Sequence, residues 1–123
     1  MKKFGILHSD LARLVASLGH GDLLVIGDAG LPVPPGVPCI DLAVTHGVPT
    51  YAQVLATVLS EMQVETCIMA AEASATLRVL APMAPRLMDH DAFKAETARA
   101  RAIVRTGEIT PYANIGLYAG VTF

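Results

Sequence analysis

Four apolar residues in a row, Leu23-Leu24-Val25-Ile26, stand between Asp22 and Gly27-Asp28. Similar short runs recur at Val64–Ala71, Ala102–Arg105 and Ile115–Tyr118. Runs this short, bounded by turn residues, read as strands buried on both faces. Between them the period changes. Leu11, Leu14, Val15 and Leu18 follow the i, i+3, i+4, i+7 spacing of a helix with one buried face. Ser9 is its expected N-cap, and Gly19 stands where a left-handed C-terminal residue belongs. Thr50 with Gln53 predicts a capping box ahead of Val54, Leu55, Val58, Leu59 and Met62. Ser74–Leu80 reads as a short helix, and Asp89 or Asp91 caps another that runs to about Arg101. Ile40–Val44 and Arg86–Met88 complete the strands. Leu31–Pro38 carries four prolines and reads as a stiff extended loop. Strands alternating with helices predict an α/β fold: one domain over residues 1–123, a mixed buried sheet covered by helices.

Composition says where the remaining apolar surface goes. Apolar residues make up 53% of the chain and charged residues only 16%, against about 25% charged in an ordinary soluble domain. No apolar stretch reaches the roughly 20 residues that span a bilayer. His8 and Asp10 interrupt the segment after Met1-Lys2-Lys3, so no secretory signal and no membrane association are expected, and the cytoplasm is the expected location. Subunit interfaces are the simplest place for the surplus, which predicts a homo-oligomer. The net charge is −2, and no basic stripe follows Lys2-Lys3, which argues against nucleic acid as a partner. Cys39 and Cys67 form no C-x-x-C pair and read as two buried thiols in a reducing compartment.

Few residues can carry chemistry. His20 follows a helix end and opens a predicted strand; it reads as a proton carrier near neutrality or as a cap on the helix carbonyls. Asp28 ends a buried strand, where α/β sheets bind ligands, and it either accepts from a ligand hydroxyl or stabilises its own turn. Tyr112-Ala113-Asn114 follows Pro111 and offers both donors and acceptors, the mixture a sugar hydroxyl needs, or else forms a local proline turn. His90 lies between Asp89 and Asp91 near a helix start. His8 and His46 read as structural or solvated. No metal-ligand spacing, GxGxxG, P-loop lysine or nucleophile elbow is present, so neither a metal nor a cofactor is expected.

Taken in order, several segments together resemble the D-ribose pyranase / L-fucose mutarotase family, nearest to its ribose branch. They are Leu18-Gly19-His20-Gly21-Asp22, Asp28-Ala29-Gly30-Leu31-Pro32, Gly47-Val48-Pro49, Glu61-Met62-Gln63-Val64-Glu65 and His90-Asp91-Ala92-Phe93-Lys94. Arg105-Thr106-Gly107-Glu108, Pro111-Tyr112-Ala113-Asn114-Ile115 and Ala119-Gly120-Val121-Thr122-Phe123 complete the set. The resemblance implies a small α/β subunit of a ring-forming homo-oligomer, commonly a decamer. It implies cofactor-free interconversion of cyclic forms of a monosaccharide, D-ribose first. It also implies His20 as proton donor, with Asp28, His90, Tyr112, Ala113 and Asn114 contacting the sugar. Residues 72–86 form a shorter segment than in typical members. A mutarotase for fucose or another sugar, and a non-catalytic sugar-binding accessory protein, are the alternative readings. Asp28 would hold a hydroxyl or orient His20. The uncharged segment Ile115–Phe123 is expected to dock on a neighbour, carrying Tyr112 and Asn114 toward that neighbour's His20 and Asp28.

Overall fold

β1 (Leu23–Gly27) is buried along its whole length. Its side chains divide by strand alternation: Leu24 and Ile26 enter one core, Leu23 and Val25 the other. This is why the run is apolar without a break. A computed structural model, describing all 123 residues, places β1 near the middle of a six-stranded sheet. The other strands are β2 (Cys39–Asp41), β3 (Val64–Ala70), β4 (Arg86–Met88), β5 (Ala102–Arg105) and β6 (Ile115–Ala119). The spatial order is β2-β5-β1-β6-β3-β4. β1, β2 and β5 are parallel, as are β3 and β4, and β6 runs antiparallel to both β1 and β3. Five strands therefore point one way and β6 alone returns.

Helices cover both faces. α1 (Ser9–Ser17) and α2 (Tyr51–Leu59) place Leu11, Leu14, Tyr51, Val54, Leu55 and Val58 in the larger core. The short α3 (Ala75–Arg78) adds Leu77. α4 (His90–Glu96) covers the other face with Phe93, helped by Leu31 from the proline loop. Phe93 is fully buried, worth about 1.5–3 kcal/mol relative to exposure.

Several local expectations are corrected. The α1 cap is His8, whose Nδ1 accepts the Leu11 N–H at 3.3 Å, and not Ser9, which begins the helix. Gly19 is not left-handed: α1 ends on an extended Leu18, and the positive φ of 83° falls two residues later, at Gly21. β2 occupies Cys39–Asp41 rather than 40–44, because its pairing with β5 stops where β5 stops, at Arg105. α2 ends at Leu59, and α4 at Glu96, where a 3-10 turn over Thr97–Arg99 takes over. Of the two thiols, Cys67 is buried and Cys39 is exposed. The capping box forms as expected, with Gln53 N–H on Thr50 Oγ1 at 3.1 Å and Thr50 N–H on Gln53 Oε1 at 2.9 Å.

One residue, Glu108, ties the α2 start to the β1 end. The Glu108 carbonyl accepts the Ala29 N–H at 2.9 Å, while its side chain accepts the Tyr51 N–H at 3.1 Å. Burial pushes the Glu108 carboxyl up. Donors from Tyr51 and Thr110 outweigh it and hold the group below the ordinary glutamate value. A depressed carboxyl stabilises the fold above its unfolded-state pKa, and this contribution is lost as pH falls through the folded value. Glu108→Gln is therefore expected to cost about 1 kcal/mol at pH 7, and progressively less below about pH 4. Urea titrations of both proteins at pH 7 and pH 3 measure this; a difference equal at both pH values would refute it.

Candidate functional site

The topology sends the predicted residues to two opposite edges of the sheet. Asp28 follows the carboxyl end of β1, His90 follows that of β4, and Tyr112–Asn114 lead into antiparallel β6. All lie on one edge. His20 precedes the start of β1, on the far edge. Five strand residues separate the edges, roughly 17 Å at the usual rise.

At the first edge, β1 is anchored by Thr106, which donates its N–H (3.0 Å) and its hydroxyl (2.9 Å) to the Gly27 carbonyl. The chain then turns at Asp28, whose Oδ1 accepts the Gly30 N–H at 3.0 Å. Asn114 binds Asp28 twice: its Oδ1 accepts the Asp28 N–H at 2.8 Å, and its Nδ2 donates to Asp28 Oδ2 at 3.2 Å. Asn114 is only 1% exposed, so this pair is a fixed wall. The turn-stabilising reading of Asp28 is what the structure shows, and a carboxylate accepting in its own turn still keeps further lone pairs.

Asp89 caps α4, and Glu72 Oε2 accepts the N–H of His90 at 3.0 Å. The His90 ring stacks on Phe93, with centroids 6.4 Å apart, and meets Tyr112 edge-on at 5.1 Å. Its Nδ1 is buried and has no partner in the chain. Tyr112 takes a left-handed φ of 63°, a backbone state that costs a non-glycine residue about 1–3 kcal/mol. Asp28, Pro32, His90, Tyr112 and Asn114 line a cavity of about 340 Å³, within the range of small-ligand pockets. Ala113 is fully buried between its neighbours, and its side chain is not part of that lining.

At the second edge, His20 does not cap α1. Its Nε2–H donates to Glu65 Oε2 at 2.6 Å, with the side chains 62% and 51% exposed. The loop beneath it is braced: Gly19 N–H reaches Asp22 Oδ2 at 2.8 Å, Gly21 N–H reaches the Ala119 carbonyl at 2.8 Å, and Arg101 holds Asp22 at 2.5 Å. His20, Gln63, Glu65, Gly120 and Val121 border a cleft of about 240 Å³. Glu65, not Asp28, is the carboxylate that meets His20 within the chain. Glu65 lies in Glu61-Met62-Gln63-Val64-Glu65, one of the segments that carry the family resemblance, and nothing local in that segment marks its contact with His20.

The expected docking of Ile115–Phe123 also changes. Ile115–Ala119 is an inner strand of its own sheet, and Asn114 pairs with its own Asp28. Only residues beyond Gly120 extend past the sheet, with Val121 and Phe123 exposed. Volume alone does not choose the site. The largest cavity, about 560 Å³, runs from Gly21 and Asp22 to Thr66, Arg86, Glu96, Arg99 and Tyr118, and takes in neither His20 nor Asp28. There Glu96 is already taken by the Tyr118 hydroxyl at 2.7 Å and by Arg99 at 3.7 Å. Burial and the Glu96 contact push the Tyr118 phenol up to about 12, leaving it protonated.

Residues 1–122 match the model of the RbsD / FucU transport protein family. The chain belongs to this family. Its RbsD / FucU relatives include the D-ribose pyranases of Paracidovorax citrulli (strain AAC00-1), 58% identical over 130 residues, and of Variovorax paradoxus (strain S110), 53% identical over 133, each covering both chains in full. Among solved structures, Bacillus subtilis RbsD complexed with D-ribose superposes with a TM-score of 0.92 at 48% identity, again covering both chains in full. The fucose mutarotase from Streptococcus pneumoniae in complex with L-fucose reaches a TM-score of 0.81 at 22% identity over both full chains, a likeness of fold alone. The RbsD / FucU fold agrees with the α/β expectation. No helix in the chain is long and apolar enough to cross a membrane.

Proposed function

We propose that this chain is a D-ribose pyranase, an isomerase that interconverts β-D-ribopyranose and β-D-ribofuranose. The observation that carries the reading is full-length similarity, at 48% identity and TM-score 0.92, to a protein whose structure holds D-ribose. The reaction needs no redox step and no covalent enzyme intermediate. A proton is delivered to the ring oxygen while the anomeric hydroxyl gives one up. The bond from C1 to the ring oxygen breaks, leaving the open aldehyde. The C4 hydroxyl then adds to C1 in place of the C5 hydroxyl, and the proton transfers run in reverse. Positioned acids and bases speed such transfers by about 10²–10⁴-fold.

His20 is the proton donor in this reading. Asp28 accepts from a sugar hydroxyl, and His90 and Tyr112, which line the same cavity, fix the others. Asn114 acts by holding Asp28, and Ala113 by keeping Tyr112 and Asn114 in place. A sugar ring cannot bridge two edges that lie roughly 17 Å apart, so the site is assembled between adjacent subunits, His20 from one and the Asp28 cavity from the next. Phe4, Leu7, Val79, Ile109 and Phe123 are each more than 60% exposed in the isolated chain, which supports an assembly that covers them. A ring-based homo-oligomer in the cytoplasm, with a decamer as its expected size, follows from the resemblance.

Exchange NMR on ribose tests the activity. Catalytic amounts of protein are expected to transfer saturation between the pyranose and furanose anomeric signals, and to do so weakly for fucose. No transfer with ribose, or faster transfer with fucose, would overturn the reading.

A further inference from the structure

We infer that Glu65 is a positioning residue for His20, aimed at it by a bulge in β3; this rests on the proton-donor reading of His20 above. The strand explains how the carboxylate gets there. Val64 pairs with Ala119 and Thr66 with Tyr118, so two steps along β3 answer one step along β6, and Glu65 is the extra, unpaired residue. The side-chain alternation breaks at the same place. Val64 and Cys67, three residues apart, face the same core, which an unbroken strand cannot do. Bulges of this kind re-aim a side chain beside functional sites. Gly120 leaves the room: a Cβ there would stand 3.1 Å from Glu65 Cβ and 3.3 Å from its backbone nitrogen.

The contact assigns the two ring nitrogens of His20. Nε2–H is committed to Glu65 at 2.6 Å, so Nδ1 is the atom left to exchange a proton with substrate. The loop supports this, since Gly21 and Asp22 are fixed by Ala119, Gly19 and Arg101 while the imidazole's one hydrogen bond goes to the carboxylate. Without Glu65 the ring would rotate freely in an open cleft. The carboxylate is also the nearest negative charge to the imidazolium that must form and discharge in each turnover, the same service a buried aspartate gives the histidine of a hydrolase triad.

Exchange rates against ribose concentration test the inference in four proteins: the parent, Glu65→Ala, His20→Asn and the double variant, with Glu65→Gln as a fifth. Glu65→Ala is expected to lower kcat about 10–100-fold while KM stays within about twofold, because orientation and not binding is lost. Glu65→Gln keeps an acceptor and should recover part of that loss. In the His20→Asn background, Glu65→Ala should do nothing further, since the residue acts only through the imidazole. Parent-like kcat in Glu65→Ala, beside an inactive His20→Asn, would sink this inference alone. An equal loss in both backgrounds, or a rise in KM at constant kcat, would also sink it. Parent-like exchange in His20→Asn would instead sink the reading on which it rests.

Discussion

His20→Asn is expected to fold, to bind ribose with near-parent affinity and to lose about 10²–10⁴-fold in the rate of pyranose–furanose exchange. Folding is safe because the ring is 62% exposed and its one hydrogen bond goes to a carboxylate that is itself half in solvent. Surface substitutions of this sort usually stay within about 0.5 kcal/mol. Binding persists because the polar contacts proposed for the sugar come from Asp28, His90 and Tyr112, on the opposite edge of the sheet. The size of the loss follows from what asparagine lacks. It can donate a hydrogen bond from the same place but cannot gain and release a proton near neutrality. Exchange NMR at saturating ribose, with calorimetric titration for affinity, separates the two effects. A variant that keeps parent exchange rates would remove His20 from the reaction. One that no longer binds ribose would make it a contact residue instead.

The parts of this molecule that were legible in its sequence are those where neighbours in the chain are neighbours in space. The strand at Leu23–Ile26 declares itself because both of its faces are buried, and the α2 start does so because Thr50 and Gln53 satisfy each other three residues apart. His20 and Asp28 could be singled out for the same reason, each being the punctuation of a local pattern. What could not be read depends on pairing across long separations. Asn114 reaches Asp28 across 86 residues, and Glu65 reaches His20 across 45. Val64–Ala71 reads as an uninterrupted strand, and nothing in Val64-Glu65-Thr66 marks the bulge, which exists only relative to β6. The Leu18-Gly19-His20-Gly21 stretch offers two glycines for one left-handed position, and the choice of Gly21 is made by its N–H on Ala119, a residue of another strand. Ser9 is the commoner type of cap, yet His8 stands one position earlier with a ring nitrogen free to accept, and the helix starts there.

The separation of His20 from the Asp28 cavity has a consequence that mixing can measure. His20→Asn and Tyr112→Gly are each expected to be inactive alone, yet to regain activity when dissociated and reassociated together. Tyr112→Gly suits the second role because glycine adopts the φ of 63° found there without penalty, so the loop keeps its course while the ring against His90 is lost. In a head-to-tail ring each site takes one edge from each of two neighbours. Random mixing in equal amounts would then give about a quarter of sites both an intact His20 and an intact Tyr112, and about a quarter of parent activity. Self-contained sites would give none, because every chain carries one defect. The β1 strand makes the first outcome the expected one. It stands as a rigid five-residue spacer between His20 and Asp28, hydrogen-bonded on both sides and buried throughout. No rearrangement short of unfolding the centre of the sheet would bring those two side chains of one subunit onto the same sugar. Absence of recovery from two inactive variants, with subunit exchange demonstrated by mass labelling, would overturn the shared site in favour of self-contained ones.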